Sequence, residues 1–162
     1  MTATMPFRHA LREKKTYALV VEDEIDQRML LMLVLQREGL HVVGAANGLE
    51  ATKLIIDPAM YEEGTLPGII FLDWEMPTMN GQEFLAAVSM MNETVRRIPI
   101  VLTTGRKIPN LPTNVELLKK PYTLEQLMEC VRRHMDVLDI PGATPSQPPM
   151  RVFKKREEEV ED

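Results

Sequence analysis

The chain has 162 residues, a formal net charge of −5 and one cysteine, so a single domain with tails is the expected organisation. Hydrophobic residues make up 44% and charged residues 27%, the balance of a globular protein that buries its own core. The acidic balance speaks against a nucleic-acid-binding surface, and Cys130 alone excludes an internal disulfide or a multi-thiolate zinc site. The longest apolar run, Met29 to Leu35, has seven residues, where a membrane span needs roughly 18. The N-terminus carries no apolar stretch with a cleavage site, so a cytoplasmic protein is expected.

Residues 1–16 are polar and locally basic through Arg8, Arg12, Lys14 and Lys15, and read as an N-terminal extension. Phe7 and Leu11 stand four apart in it, the spacing of a short amphipathic helix. Tyr17 to Val21 is an apolar run that stops abruptly at Glu22-Asp23-Glu24, a buried strand feeding an acidic loop. Ile25 to Glu38 reads as a helix ended by Gly39. A second strand, His41 to Ala45, precedes a helix from about Leu49 to Ile56, broken at Asp57-Pro58. Gly68 to Leu72 is a third strand, again ending in an acid, Asp73. A helix from about Gln82 to Met91, strands at Pro99 to Thr103 and Val115 to Lys119, and a helix from Thr123 to Leu138 capped by Thr123 complete the pattern. Apolar strands alternating with helices predict a parallel sheet covered on both faces, within a domain spanning 17–138. Residues 139–162, with four prolines and then a basic and an acidic block, read as an extended, solvated tail.

The chemistry lies in where the acids fall. Glu22 and Asp23 follow the first strand and Asp73 closes the third, and in a parallel sheet those ends share one edge. Three clustered carboxylates repel one another unless a cation neutralises them, and an all-oxygen set with room for waters suits Mg²⁺. Thr104 and Lys120, after the fourth and fifth strands, bring a hydroxyl and an ammonium to the same edge. Such a set is suited to stabilising a transferring phosphoryl group, for which aspartate is a known nucleophile.

With these residues in view, the sequence resembles the receiver domain of two-component response regulators. The matching stretches are Ala18-Leu-Val-Val-Glu-Asp-Glu24, Phe71-Leu-Asp-Trp-Glu-Met-Pro-Thr-Met-Asn-Gly81, Pro99-Ile-Val-Leu-Thr-Thr-Gly105 and Lys119-Lys-Pro-Tyr122. The resemblance covers about three quarters of the chain. It implies a flavodoxin-like, doubly wound, five-stranded (βα)5 fold that takes phosphate from a histidine kinase or a histidine phosphotransfer protein. It implies Asp73 as phosphoacceptor, Glu22 and Asp23 as the acidic pair holding Mg²⁺, and the Glu75 backbone carbonyl as a further metal contact. Thr104 matches the family hydroxyl, with Thr103 as a rival. Lys120 matches the family lysine before a proline in a cis bond, with Lys119 as a rival. Glu75 and Arg106, two residues beyond Asp73 and Thr104, match positions that flank attacking water; a pairing between them is expected to lengthen phosphoryl lifetime.

The sequence also departs from the family. Only ten residues, 105–114, separate Thr104 from the fifth strand, and they include Pro109 and Pro112. A proline costs about 3 kcal/mol inside a helix, so the fourth crossover helix is expected to be reduced or missing. Leu117 stands where the family has an aromatic residue in the fifth strand, which puts the standard threonine–aromatic switch in doubt. The all-apolar run of the first helix must expose some members; Met29 and Met32 are the expected exposed, partner-binding pair. His9, His41 and His134 have no metal-ligand spacing, and Cys130 reads as core. The leading expectation is a phosphorylatable receiver that signals through contacts with a downstream protein and is not a turnover enzyme. The alternatives are a receiver-fold interaction module independent of phosphorylation and, less favoured, a metal-dependent phosphatase with Glu75 as its second acid.

Overall fold

The computed structural model describes residues 17–57 and 66–135. The N-terminal extension, the Pro-rich tail and the expected end of the last helix lie outside them. The chain forms β1 (Ala18–Val21), α1 (Ile25–Arg37), β2 (Val42–Ala45), α2 (Gly48–Ile56), β3 (Ile69–Asp73), α3 (Gly81–Ser89), a single turn α4 (Glu93–Arg96), β4 (Ile100–Thr104), β5 (Val115–Lys119) and α5 (Leu124–Met135). The strands make one sheet in the order β2-β1-β3-β4-β5, every pair parallel. This is the doubly wound flavodoxin-like arrangement. The winding reverses between β1 and β3, where the connections leave in opposite directions and open a crevice at the strands' carboxyl ends.

Alternation along each strand divides the core into two layers. Leu19, Val21, Ile70, Leu72, Ile100 and Leu102 face α2 and α3 with Ala51, Ile55, Phe84 and Val88. Ala18, Val20, Ile69, Phe71 and Val101 face α1 and α5 with Leu35, Leu127 and Val131. Strands buried on both faces need apolar residues at every position, which is why they read as continuous runs. Polar caps set where the helices begin. Asn80 and Glu83 exchange side-chain and backbone hydrogen bonds at 2.9 and 2.8 Å, and Thr123 and Gln126 do the same at 3.2 and 2.9 Å. The Asn92 side chain accepts from Val95 N–H at 3.1 Å and starts α4, a turn that the sequence pattern does not mark.

The crossover from β4 to β5 holds no helix across residues 105–114. Ile108 and Leu111 pack on the core in its place, and Asn114 Nδ2 donates to Ile98 O at 2.8 Å to fix the exit. Leu117 lies on the edge strand, 37% exposed. The expected Met29–Met32 pair needs correction. Met29 is 56% exposed, but its neighbours in the open are Ile25, Leu30 and Leu33. Met32 packs against the α1-side core, its Sδ 2.7 Å from where a side chain on Gly44 would begin. Helix α1 lies on β2, and the bare strand backbone at Gly44 is what lets Met32 turn inward.

Candidate functional site: an acidic cleft at the switch point

Four strand ends build the site. β1 delivers Glu22 and Asp23, β3 delivers Asp73, and one oxygen from each of the three carboxylates lies within 4.8 Å of the others. Glu22 and Asp73 are buried while Asp23 faces solvent. Lys120 reaches in from the end of β5, its Nζ 3.0 Å from Asp73 Oδ1 and 3.6 Å from Glu22 Oε2. The Lys120–Pro121 bond beside it is cis. Lys119, the rival, is exposed.

Thr104 lines the cleft. Its Oγ1 accepts from the Arg106 N–H at 3.1 Å, which leaves the hydroxyl proton to point at an incoming oxygen. The Thr103 hydroxyl instead donates to Leu72 O at 3.4 Å within the sheet, so the rival is occupied elsewhere. Glu75 and Gly105 also line the cleft, and Glu75 Oε1 meets Arg106 Nε at 2.6 Å with both side chains largely exposed. The expected pairing is therefore present as geometry, and it spans the cleft from the β3 loop to the β4 loop.

Gly81 explains the glycine of the β3 motif. A Cβ there would sit 2.9 Å from Trp74 Cα and 3.1 Å from Asp73 O, so only a glycine lets α3 begin directly beneath the acid. Thr78, at φ 69°, turns the intervening loop back, and Gly48 N–H donates to Met79 O at 3.2 Å to tie it to α2.

The electrostatics match the crowding. Burial pushes the Glu22 carboxyl above its ordinary range, and the neighbouring Asp73 charge pushes it further. Burial also raises Asp73, against the Lys120 hydrogen bond that pulls it down. Burial works to lower Lys120, but its hydrogen bond and charge contact with Asp73 outweigh that, so the lysine is raised and stays charged. One ammonium paired with two of the three acids leaves a net negative cleft of about 270 Å³. All its close donors to a cation are oxygens, so the residues fit a hard divalent ion with retained waters. At about 30 Å³ per water, the space also admits a phosphoryl group.

Residues 18–132 match the family model for the response regulator receiver domain. The chain belongs to the response regulator receiver family. This receiver is 26% identical over 122 residues to sporulation initiation phosphotransferase F of Bacillus subtilis, covering 72% of the chain and 91% of that protein. It is 28% identical over 123 residues to the phosphate regulon transcriptional regulatory protein PhoB of Escherichia coli, covering 72% of the chain and 50% of that protein. Among solved structures, the chemotaxis protein CheY4 of Vibrio cholerae superposes with a TM-score of 0.58 at 26% identity, covering 73% of this receiver and 97% of CheY4. No described helix is long and apolar enough to cross a membrane.

Sequence reasoning missed a second polar cluster on this receiver. Glu116 of β5 lies 2.6 Å from His134 Nε2, pairs with the Arg133 guanidinium and contacts Cys130 Sγ at 3.4 Å. The Cys130 thiol is pushed up to about 11, by burial first and by Glu116 next, so it is a core thiol rather than a nucleophile. The only sequence signal was the i, i+3, i+4 spacing of Cys130, Arg133 and His134 on one helix face.

Proposed function

We propose that this two-component receiver accepts a phosphoryl group on Asp73 in a Mg²⁺-dependent reaction. The observation that carries the reading is the convergence of three carboxylates within 4.8 Å with Lys120 Nζ 3.0 Å from Asp73. Glu22, Asp23, Asp73 and the Glu75 backbone carbonyl would hold the cation. When bound, Mg²⁺ neutralises the acids and the incoming phosphoryl oxygens.

An Asp73 carboxylate oxygen attacks phosphorus. The P–N bond of a donor phosphohistidine breaks, and its electron pair leaves on the imidazole, which takes up a proton if it departs as an anion. Lys120 pairs with one phosphoryl oxygen and the Thr104 hydroxyl donates to another, both preorganised at the strand ends. The Trp74 and Gly81 backbones hold the β3 loop rigid beneath the acid.

The donor is a histidine kinase or a histidine phosphotransfer protein, and the transfer takes place in the cytoplasm. Hydrolysis of the acyl phosphate is slow and self-catalysed, so the protein is a switch rather than a turnover enzyme. The Glu75–Arg106 pair restrains water at the mouth and lengthens the phosphorylated state. Phosphorylation is read by a downstream protein. A second reading, a receiver-fold interaction module independent of phosphorylation, draws on two observations: the helix-free β4–β5 crossover and Leu117 on the open edge strand.

The test is labelling with a small acyl phosphate, with and without Mg²⁺, read by intact mass. Wild type gains the mass of one phosphoryl group only with the cation, and Asp73→Asn gains none. An unlabelled wild type at saturating donor and cation would favour the second reading.

A further inference from the structure

The turn that presents the acidic pair is three residues long, and little of its backbone belongs to helix or sheet. Glu22 N–H donates to Ala45 O at 3.1 Å, and Glu24 N–H donates to the Glu22 carboxylate at 3.2 Å. The Glu22 and Asp23 carbonyls point the other way. Arg28, on the first turn of α1, folds back over the turn and donates through one guanidinium nitrogen to Glu22 O at 2.7 Å and Asp23 O at 3.4 Å. Its side chain is half-buried, with the stem lying on β2 at Gly44. A Cβ at that position would sit 3.3 Å from Arg28 Cδ.

We propose that Arg28 is a positioning residue for the metal site: it clamps the carbonyls of Glu22 and Asp23 so that both carboxylates are presented to a divalent cation. The inference rests on the reading of the acidic cleft as a Mg²⁺ site. The guanidinium grips carbonyls, not carboxylates, and so fixes the turn without occupying the acids. Groups that hydrogen-bond to metal ligands and orient them commonly control affinity, and Arg28 would orient these two through their backbone. One guanidinium nitrogen carries two N–H donors and so serves both carbonyls, while the long side chain lets it reach back from α1 over the turn.

The opposite effect is also built into the geometry. A fixed positive charge near the site repels a dication, so if charge were all that mattered, removing Arg28 would tighten Mg²⁺ binding. Positioning predicts that removal weakens it. A purely structural role for Arg28 in α1 would move thermal stability and leave metal affinity unchanged.

Trp74 is the sole tryptophan and adjoins Asp73, so its fluorescence reports Mg²⁺ binding in the full chain. The titration compares wild type with Arg28→Met and Arg28→Lys, with thermal unfolding followed in parallel. Arg28→Met is expected to raise the Mg²⁺ Kd about tenfold, and Arg28→Lys to restore part of that loss. Phosphoryl labelling of Arg28→Met should recover when Mg²⁺ is raised to saturation, which separates positioning from chemistry. Should Arg28→Met fail to fold, Arg28→Gln, polar but too short to span both carbonyls, gives the same reading. Unchanged or tighter Mg²⁺ binding in a folded variant overturns the proposal. A wild type with no saturable Mg²⁺ response overturns the metal-site reading itself, and this inference with it.

Discussion

Two groups of carboxylates on this receiver sit in opposite circumstances. At the ends of β1 and β3, three acids crowd one cleft and a single ammonium pairs with two of them, while the nearby Arg28 is engaged by backbone carbonyls. Glu22 and Asp73 are both raised, by burial before anything else. On β5, one acid has a hydrogen bond from His134, an ion pair with Arg133 and a contact with Cys130. Glu116 is held down to about 2, chiefly by the His134 hydrogen bond. The satisfied carboxylate fastens α5 to the edge strand. The frustrated ones are left short of positive charge, and that shortage is what a cation and a phosphoryl group would relieve.

Removing Lys120 should have the largest effect on the crowded acids. Lys120→Ala takes away the cation nearest Asp73 and the partner of the incoming phosphoryl oxygen, so the labelling rate should fall on the order of 100-fold. A time course by intact mass measures it, and an unchanged rate would detach Lys120 from the chemistry. Next in size is Glu116→Gln, expected to cost about 1–2 kcal/mol in urea unfolding at neutral pH, allowing for solvent screening of the partly exposed cluster.

The two groups should also differ in the sign of their pH dependence. A carboxylate lowered in the fold contributes stability above its ordinary value of 4.5 and loses it as pH falls toward about 2. Glu116→Gln should therefore flatten part of the acid limb. Glu22 and Asp73, being raised, contribute in the opposite sense: the metal-free fold is favoured while they are protonated and loses stability as pH rises through their titration. Added Mg²⁺ should restore that loss by binding the folded state. The smallest effect concerns the exposed Glu75–Arg106 pair. Arg106→Ala should shorten the phosphorylated lifetime about two- to fivefold, in line with the roughly 0.2–1 kcal/mol such pairs contribute; an unchanged decay would remove the pair from lifetime control.

The first group was legible in the sequence and the second was not, for a physical reason. A doubly buried strand must be apolar throughout, so the abrupt acids after Val21 and Leu72 mark strand ends, and parallel pairing brings those ends together. The helix-free crossover was equally legible, because Pro109 and Pro112 forbid a helix in ten residues. Glu116 lies on β5 while Arg133 and His134 lie on α5, and only the packing of α5 on β5 joins them. The outward face of α1 was misread because a run apolar on every side carries no polar stripe to orient it. There the bare backbone at Gly44, a feature of the neighbouring strand, decided that Met32 turns in. Arg28 was illegible for another reason: its targets are carbonyls, which every residue has.

Where the phosphoryl group sits decides whether Asp73 is its acceptor. Protein labelled with a small acyl phosphate in Mg²⁺ would be reduced with borohydride, digested and mapped by mass spectrometry, since acyl phosphates are reduced and other carboxylates are not. One modified site, Asp73, is expected, and only in the presence of the cation. A modification that maps to any other residue, or that forms equally well without a divalent ion, would contradict it.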